Sequence, residues 1–424
     1  MSTAAVTPTP PTQVTVATTQ PTSQRANLAN LYRPVGPKII QTGLNALPGA
    51  FINLSQVVDL SLPIRGVRIV YKGRCVVGTA GMASTTPEGF LNMLSNIVIQ
   101  GTNARQKGNV TLWTIDLASL YGFAHLISSD SAAYYSINAQ AAAGEVQLNP
   151  PSTPYAFNTT AQNTYNPTGT VGTYDYRVVI DLPFFPFSSN VFGTHPHWVP
   201  AFLVRNEEWK DSLQLQFTFP LSPGGAVAGP LGTGAAGTTL TFSSYGSGAG
   251  TPTLDVYSLP IEMGLTLKDQ VLPGVLSRVT TAVSGALQAA GNGVTLLNMQ
   301  KQSTPRVFVK SGVGTVPPFF TSLSDTNITA IGILLGSNRN VRNVVDWFAH
   351  KALAYDDYQR PQIQGYLELD FMDSGDPDSA YPGQNIGDGS TFTVTGNVGG
   401  VANGQGIFMQ EQVLHTPTGP LYTY

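Results

Sequence analysis

Along most of this chain apolar side chains fall at every second residue. That period suits a β-strand with one face on a core and the other in water, and it does not suit a helix. Val58, Leu60 and Leu62 share one face, and Val67, Ile69 and Tyr71 alternate with Arg68, Val70 and Lys72. Tyr176, Val178, Ile180 and Leu182 alternate with Arg177, Val179 and Asp181. Leu213, Leu215, Phe217 and Phe219 are set against Gln214, Gln216 and Thr218. The pattern returns at Ile261, Met263, Leu265 and Leu267, and again at Leu367, Leu369 and Phe371. Clusters of Gly, Pro and Asn separate these runs. The fold is mainly β.

Helical spacing is rare. Val341, Val344, Val345, Phe348 and Ala352 fit one helical face and predict a helix over 340–354. Leu117, Leu120, Phe123 and Leu126 predict a shorter one over 115–127, and 198–210 is a weaker candidate carrying Trp209. The stretch 212–254 has no charged residue, and from Ser222 to Gly250 it holds nine glycines among Ala, Thr and Ser. Such a composition predicts a long loop or linker between two similar β-rich halves. Each half has the same coarse order: adjacent strands, an irregular stretch, a Trp-bearing helix (Trp209, Trp347), then an alternating strand. The expected division is a flexible arm at 1–44, a first β domain at 45–220, a Gly-rich linker at 221–254 and a second β domain at 255–424. Each domain is long enough for an eight-stranded jelly-roll sandwich.

Charge is scarce. Only 11% of the 424 residues are charged, against roughly 25% in an average soluble domain. With 42% hydrophobic residues the chain folds nonetheless, so its sparsely ionised surface is rich in Ser, Thr, Asn and Gln, or covered in large part by neighbours, or both. A net charge of −3 gives no global attraction to nucleic acid or acidic membrane. The charge is unevenly placed: residues 25–107 carry nine basic and two acidic side chains, and no basic residue follows Arg360. Complementary surfaces between subunits would use such a division. Residues 1–24 hold no charge and no apolar block, so they show neither a secretion leader nor the basic run with which a flexible arm neutralises phosphates. No apolar run reaches the ~18 residues of a spanning helix. The single cysteine, Cys75, reads as a small buried hydrophobe.

No set of residues assembles into a catalytic centre. Gly232, Gly234 and Gly237 match the dinucleotide fingerprint as a string but lack the strand before and the helix after that the chemistry requires. His195 and His197 flank Pro196 with no further ligand nearby, so they read as packing residues beside Trp198. Asp373, Asp376 and Asp378 depart from calcium-loop spacing and read as a solvated acidic loop. Glu207 and Glu208, adjacent on an expected helix, point different ways and read as surface charges. No catalytic, cofactor-binding or metal-binding residue is assigned, no cofactor is expected, and the chain reads as a non-enzyme. Arg65, Arg68, Lys72 and Arg74 form a modest basic cluster, suited to an anionic surface or to pairing between subunits.

Together these segments resemble the double jelly-roll major capsid proteins of tailless icosahedral bacteriophages, the tectivirus-like lineage in which many members have an internal membrane. The resemblance is carried by Leu62 to Gly73, Phe90 to Gln100 and Tyr176 to Pro186 in the first half. In the second half it is carried by Val256 to Leu272 as the first strand, the helix around Trp347, and Gly365 to Asp373. The resemblance implies a homotrimeric capsomer with a pseudo-hexagonal footprint in an icosahedral virion shell that encloses the genome. It further implies an N-terminal segment at the inner face, near an internal membrane or minor capsid and penton proteins, and synthesis in the host cytoplasm. The competing reading is a carbohydrate-binding or adhesin-type β-sandwich that uses Tyr134, Tyr135 or Tyr165 as stacking platforms.

Overall fold

The computed structural model describes residues 32–55, 58, 60–103, 108–127, 133–139, 146–147, 171–184, 204, 209, 213–224, 229–263, 276–286, 292–295, 302–313, 319–335, 339–358, 362–370, 390–396 and 404–414. Eight principal strands form the first unit: β1 (Lys38–Asn45), β2 (Phe51–Leu54), β3 (Ile64–Gly78), β4 (Asn96–Asn103), β5 (Gly108–Ile115), β6 (Gly172–Pro183), β7 (Gln214–Thr218) and β8 (Thr253–Met263). Eight more form the second: β9 (Leu276–Ala286), β10 (Asn292–Thr295), β11 (Gln302–Val313), β12 (Ile328–Leu335), β13 (Arg339–Asp346), β14 (Tyr366–Asp370), β15 (Ser390–Gly396) and β16 (Gly404–Leu414). Helix α1 (Leu117–Ile127) follows β5, and α2 (Trp347–Tyr358) follows β13.

Hydrogen bonding repeats in the two units. The first has sheets β1-β8-β3-β6 and β2-β7-β4-β5, and the second has β9-β16-β11-β14 and β10-β15-β12-β13. Counted within each unit, both read 1-8-3-6 and 2-7-4-5, all antiparallel, which is the strand order of an eight-stranded jelly roll. The longest ladder joins β3 to β6 over twelve residues, from Gly172 opposite Val77 to Pro183 opposite Gly66. Alternation does what the sequence asks of it: on β3, Val67, Ile69, Tyr71, Cys75 and Val77 are buried while Arg68, Val70, Lys72 and Arg74 are half-buried. On β7, Leu215 and Phe217 point into the core between half-buried Gln214, Gln216 and Thr218.

The structure moves several boundaries. Strand β8, expected to open the second half, hydrogen-bonds to β3, with Val256 opposite Ile69, and completes the first roll. The uncharged stretch ahead of it is no plain linker. It holds Gly232–Gly234, paired with Met82–Thr85, and Thr239–Ser243, paired with the far end of β3. The arm expected through residue 44 already contains Tyr32–Pro34 and β1, both paired with β8. As an edge strand exposed over most of its length, β1 carries no alternation to betray it. The helix expected over 340–354 starts only at Trp347, because Val341, Val344 and Val345 are β-branched and extend in β13. Asp346 then caps α2, its Oδ1 accepting from the Phe348 and Ala349 N–H groups at 2.9 and 3.2 Å. Helix α1 lies where its spacing predicts, and Asp116 Oδ1 accepts from the Ser119 N–H at 2.8 Å. At the weaker 198–210 candidate, Val204 is extended, bridged to Ile64, and Trp209 is buried outside any helix. The remainder of that stretch lies outside the described residues. The helix matching α2 is thus α1, beside Trp113 of β5.

Candidate functional site

The two rolls are joined by buried side chains. Glu88, in the turn between β3 and β4, and Lys310 of β11 are both fully buried, 2.7 Å apart. Tyr366, the first residue of β14, donates its hydroxyl to the other side of the same carboxylate and lies 3.3 Å from the Ala118 carbonyl of α1. Phe123 of α1 packs on Phe308 of β11 at 4.5 Å between ring centroids and meets Tyr366 edge-on at 5.2 Å. Gly122 makes that approach possible, since a Cβ there would stand 2.5 Å from the Tyr366 ring. Burial drives the Glu88 carboxyl above its ordinary range, opposed by Lys310 and the Tyr366 hydroxyl. One apolar cluster runs unbroken from the first roll to Phe308, Phe320, Tyr366 and Met409 of the second.

A second buried hub sits within the second roll. Asp325 Oδ1 accepts from Lys351 Nζ at 2.6 Å, Trp347 Nε1 at 2.9 Å and the Gly365 N–H at 2.8 Å. Lys351 Nζ also donates to the Ile363 carbonyl at 2.7 Å, so the hub ties the start of α2 to the start of β14. Burial pulls the Lys351 ammonium below its ordinary value, against the pull of Asp325. Both hubs centre on an acid from the turn ahead of the fourth strand of a roll, and both were missed in the sequence. Local pattern marks neither, because the partner of Glu88 is 222 residues away.

Three of the four members of the basic cluster of β3 are paired inside the chain. Arg68 makes a two-pronged pair with Asp181 at 2.5 and 2.9 Å, Arg74 another with Asp175 at 2.7 and 2.8 Å, and Lys72 Nζ lies 2.9 Å from Asp255. Register explains two of them, since Arg68 is directly opposite Asp181 and Arg74 opposite Asp175 on β6. These side chains are therefore a neutralised ladder, neither a free anion-binding patch nor a supply of pairs for another subunit. Burial works against the Asp175 charge, but the Arg74 guanidinium and the Gly246 N–H outweigh it and hold the carboxyl below its ordinary value. A depressed carboxyl gives stability that is complete above the unfolded-state value, about 4, and lost as pH falls through the folded one. Urea midpoints are expected to fall more steeply on acidification below about pH 4 in the wild type than in an Arg74→Gln variant. Equal slopes would mean that the pair does not couple folding to protonation.

Cys75 is buried on the inner face of β3, where burial pushes its thiol up to about 12. Of the glycine string, Gly232 and Gly234 lie in a β-pairing and Gly237 in the turn after it, with no helix following, and a Cβ at Gly232 would collide with the Ser84 carbonyl. Tyr134 and Tyr135 lie on Ala133–Ala139, which pairs with β6. Tyr165, His195, His197, Glu207, Glu208, Asp373, Asp376 and Asp378 lie outside the described residues. A groove of about 550 Å³ between β1 and β2 is lined by Leu44, Ala50, Phe51, Ile52 and the amides of Gln41 and Asn45, with no acid or base. Among the described residues no three His, Cys, Asp or Glu side chains converge as metal ligands.

Two successive jelly rolls fused through a buried seam define a double jelly-roll fold. Solved structures with this architecture are similar over nearly the whole chain. The major capsid protein of Sulfolobus turreted icosahedral virus superposes with a TM-score of 0.53 at 12% identity, covering 91% of this chain and 96% of that one. PBCV-1 VP54, fitted into a reconstruction of the virophage Sputnik, gives 0.51 at 11% identity, covering 93% and 97%. The Faustovirus major capsid protein gives 0.51 at 8% identity, covering 91% and 90%. No protein-family model and no curated protein matches the chain.

Proposed function

We propose that this chain is a major capsid protein that self-associates as homotrimeric, pseudo-hexagonal capsomers and builds an icosahedral virion shell around a genome. The observation that carries the reading is the repeated strand order of two rolls joined by a buried seam. A joined pair of like units is what a three-fold ring needs to present six similar sides. The low charge supports it, because side walls with few ionised groups are tolerated in water when sister copies cover them. The double jelly-roll neighbours, two of them named as major capsid proteins, support the same role. On this reading the protein is made in the host cytoplasm and ends in the virion, as in the tailless bacteriophage lineage with an internal membrane. The first residues then face the interior, near membrane or minor capsid proteins.

Light scattering on the purified chain is expected to give three times the chain mass, and electron microscopy of the source particle a faceted shell built from this protein. A chain that stays monomeric at every concentration, or that is retained on a glycan column, would replace this reading with the adhesin one.

A further inference from the structure

The seam inside the chain is also a pattern for how copies meet. The first roll contributes its helix side: α1 touches β14, and β5 runs beside β9. The second roll contributes its strand side, and the consequence is visible in burial. Phe308, Lys310 and their neighbours Val307 and Val309 are all buried, so β11 is covered on both faces, as is β14 from Tyr366 to Leu369. One helix side and one strand side remain: α2 with β13 on the second roll, and the outer face of β3 and β6 on the first. On that outer face Val70 and Val179 are opposite each other and only half-buried.

The two helices can be aligned by their caps. Asp116 and Asp346 each close the first turn through Oδ1. Counting from them, Ala118, Gly122 and Phe123 of α1 correspond to Phe348, Ala352 and Leu353 of α2. The first three are the α1 residues that touch Tyr366 and Phe308 of the second roll. The second three form an exposed apolar face, with Leu353 52% and Phe348 37% exposed. Exposed large apolar groups that match a buried contact, position for position, mark an interface awaiting its partner.

We infer that the Phe348–Ala352–Leu353 face of α2 docks on the outer face of β3–β6 in a second copy of this chain, as α1 docks on β11–β14 within one chain. The inference rests on self-association and names the surfaces that perform it. The contact is heterologous, head to tail, so it propagates around a ring and closes when the rotation allows. The receiving face suits an apolar visitor. Arg68–Asp181, Lys72–Asp255 and Arg74–Asp175 are already paired there, and Arg177, opposite Lys72, lies over the Tyr245 ring at 4.5 Å, so these cations have partners within the chain before a copy docks.

The test uses the full chain in three forms: wild type, Leu353→Glu and Ala352→Arg, both substitutions being at exposed positions of α2. Near-UV circular dichroism is expected to be unchanged in both variants. Light scattering is expected to show trimers for the wild type and monomers for the variants, with association weakened at least about 100-fold by an unpaired charge at the contact. A benzophenone side chain at position 353 is expected to cross-link between chains, to peptides within Ile64–Gly78 or Gly172–Pro183. Variants that fold and still form trimers, or cross-links that land elsewhere, overturn this interface while leaving the capsomer reading intact. A monomeric wild type overturns both. If a variant fails to fold, the cross-link alone decides.

Discussion

Replacing Glu88 with Gln is expected to destabilise the protein by about 3–5 kcal/mol, because it leaves the Lys310 ammonium buried without a counter-charge. Shape is conserved, and the new amide oxygen still accepts from Tyr366, so the loss isolates the charge. Changing Lys310 to Met in the same background removes the stranded charge and fills its volume, and is expected to restore at least half of the lost stability. The pair would then be a device for register between the rolls more than a source of net stability. Urea unfolding of the two variants measures this. A Glu88→Gln cost near zero, or a double variant no better than the single, would show that the seam is held by Phe123, Phe308 and Tyr366 without the ion pair.

Replacing Asp325 with Ala is expected to cost about 4 kcal/mol, since one deletion orphans the Lys351 ammonium, the Trp347 indole N–H and the Gly365 N–H together. The damage should be local. Hydrogen exchange is expected to accelerate in α2 and at the start of β14, while β3 and β6 keep their protection. Because α2 carries the apolar face proposed to meet a second copy, the same substitution should also weaken association. An Asp325→Asn variant keeps an acceptor for Trp347 and Gly365 and should cost less than Ala. If Ala and Asn are equally harmful, the charge on Asp325 matters and its acceptor geometry does not. Uniform loss of protection across both rolls would mean the hub supports the whole fold.

Much of the architecture was legible. Alternation at Val67–Tyr71, Tyr176–Leu182 and Leu213–Phe219 announced β3, β6 and β7 with their inward faces correct, and the spacing of Leu117, Leu120 and Phe123 announced α1. What misled was ownership. Thr253–Met263 reads as a strand wherever it is placed, and nothing in eleven residues says that its ladder partner is Ile69 and not a residue of the second roll. Val341, Val344 and Val345 satisfied a helical wheel by spacing alone, yet their branched side chains favour extension, and Asp346 set the true start of α2. The basic cluster of β3 looked available because its acids stand 101 to 183 residues further along the chain.

The chain's own letters decided which residues face a core and which face outward, where strands stop, and that few charges would be available to keep the surface wet. Those are local matters, settled by side-chain period, backbone freedom at Gly and Pro, and composition. Pairing of strands, the fused seam, the two buried lysines and the exposed patch on α2 belong to the folded molecule alone. A ladder hydrogen bond or an ion pair joins groups that only chain closure brings within 3 Å, and no short window of sequence carries that distance.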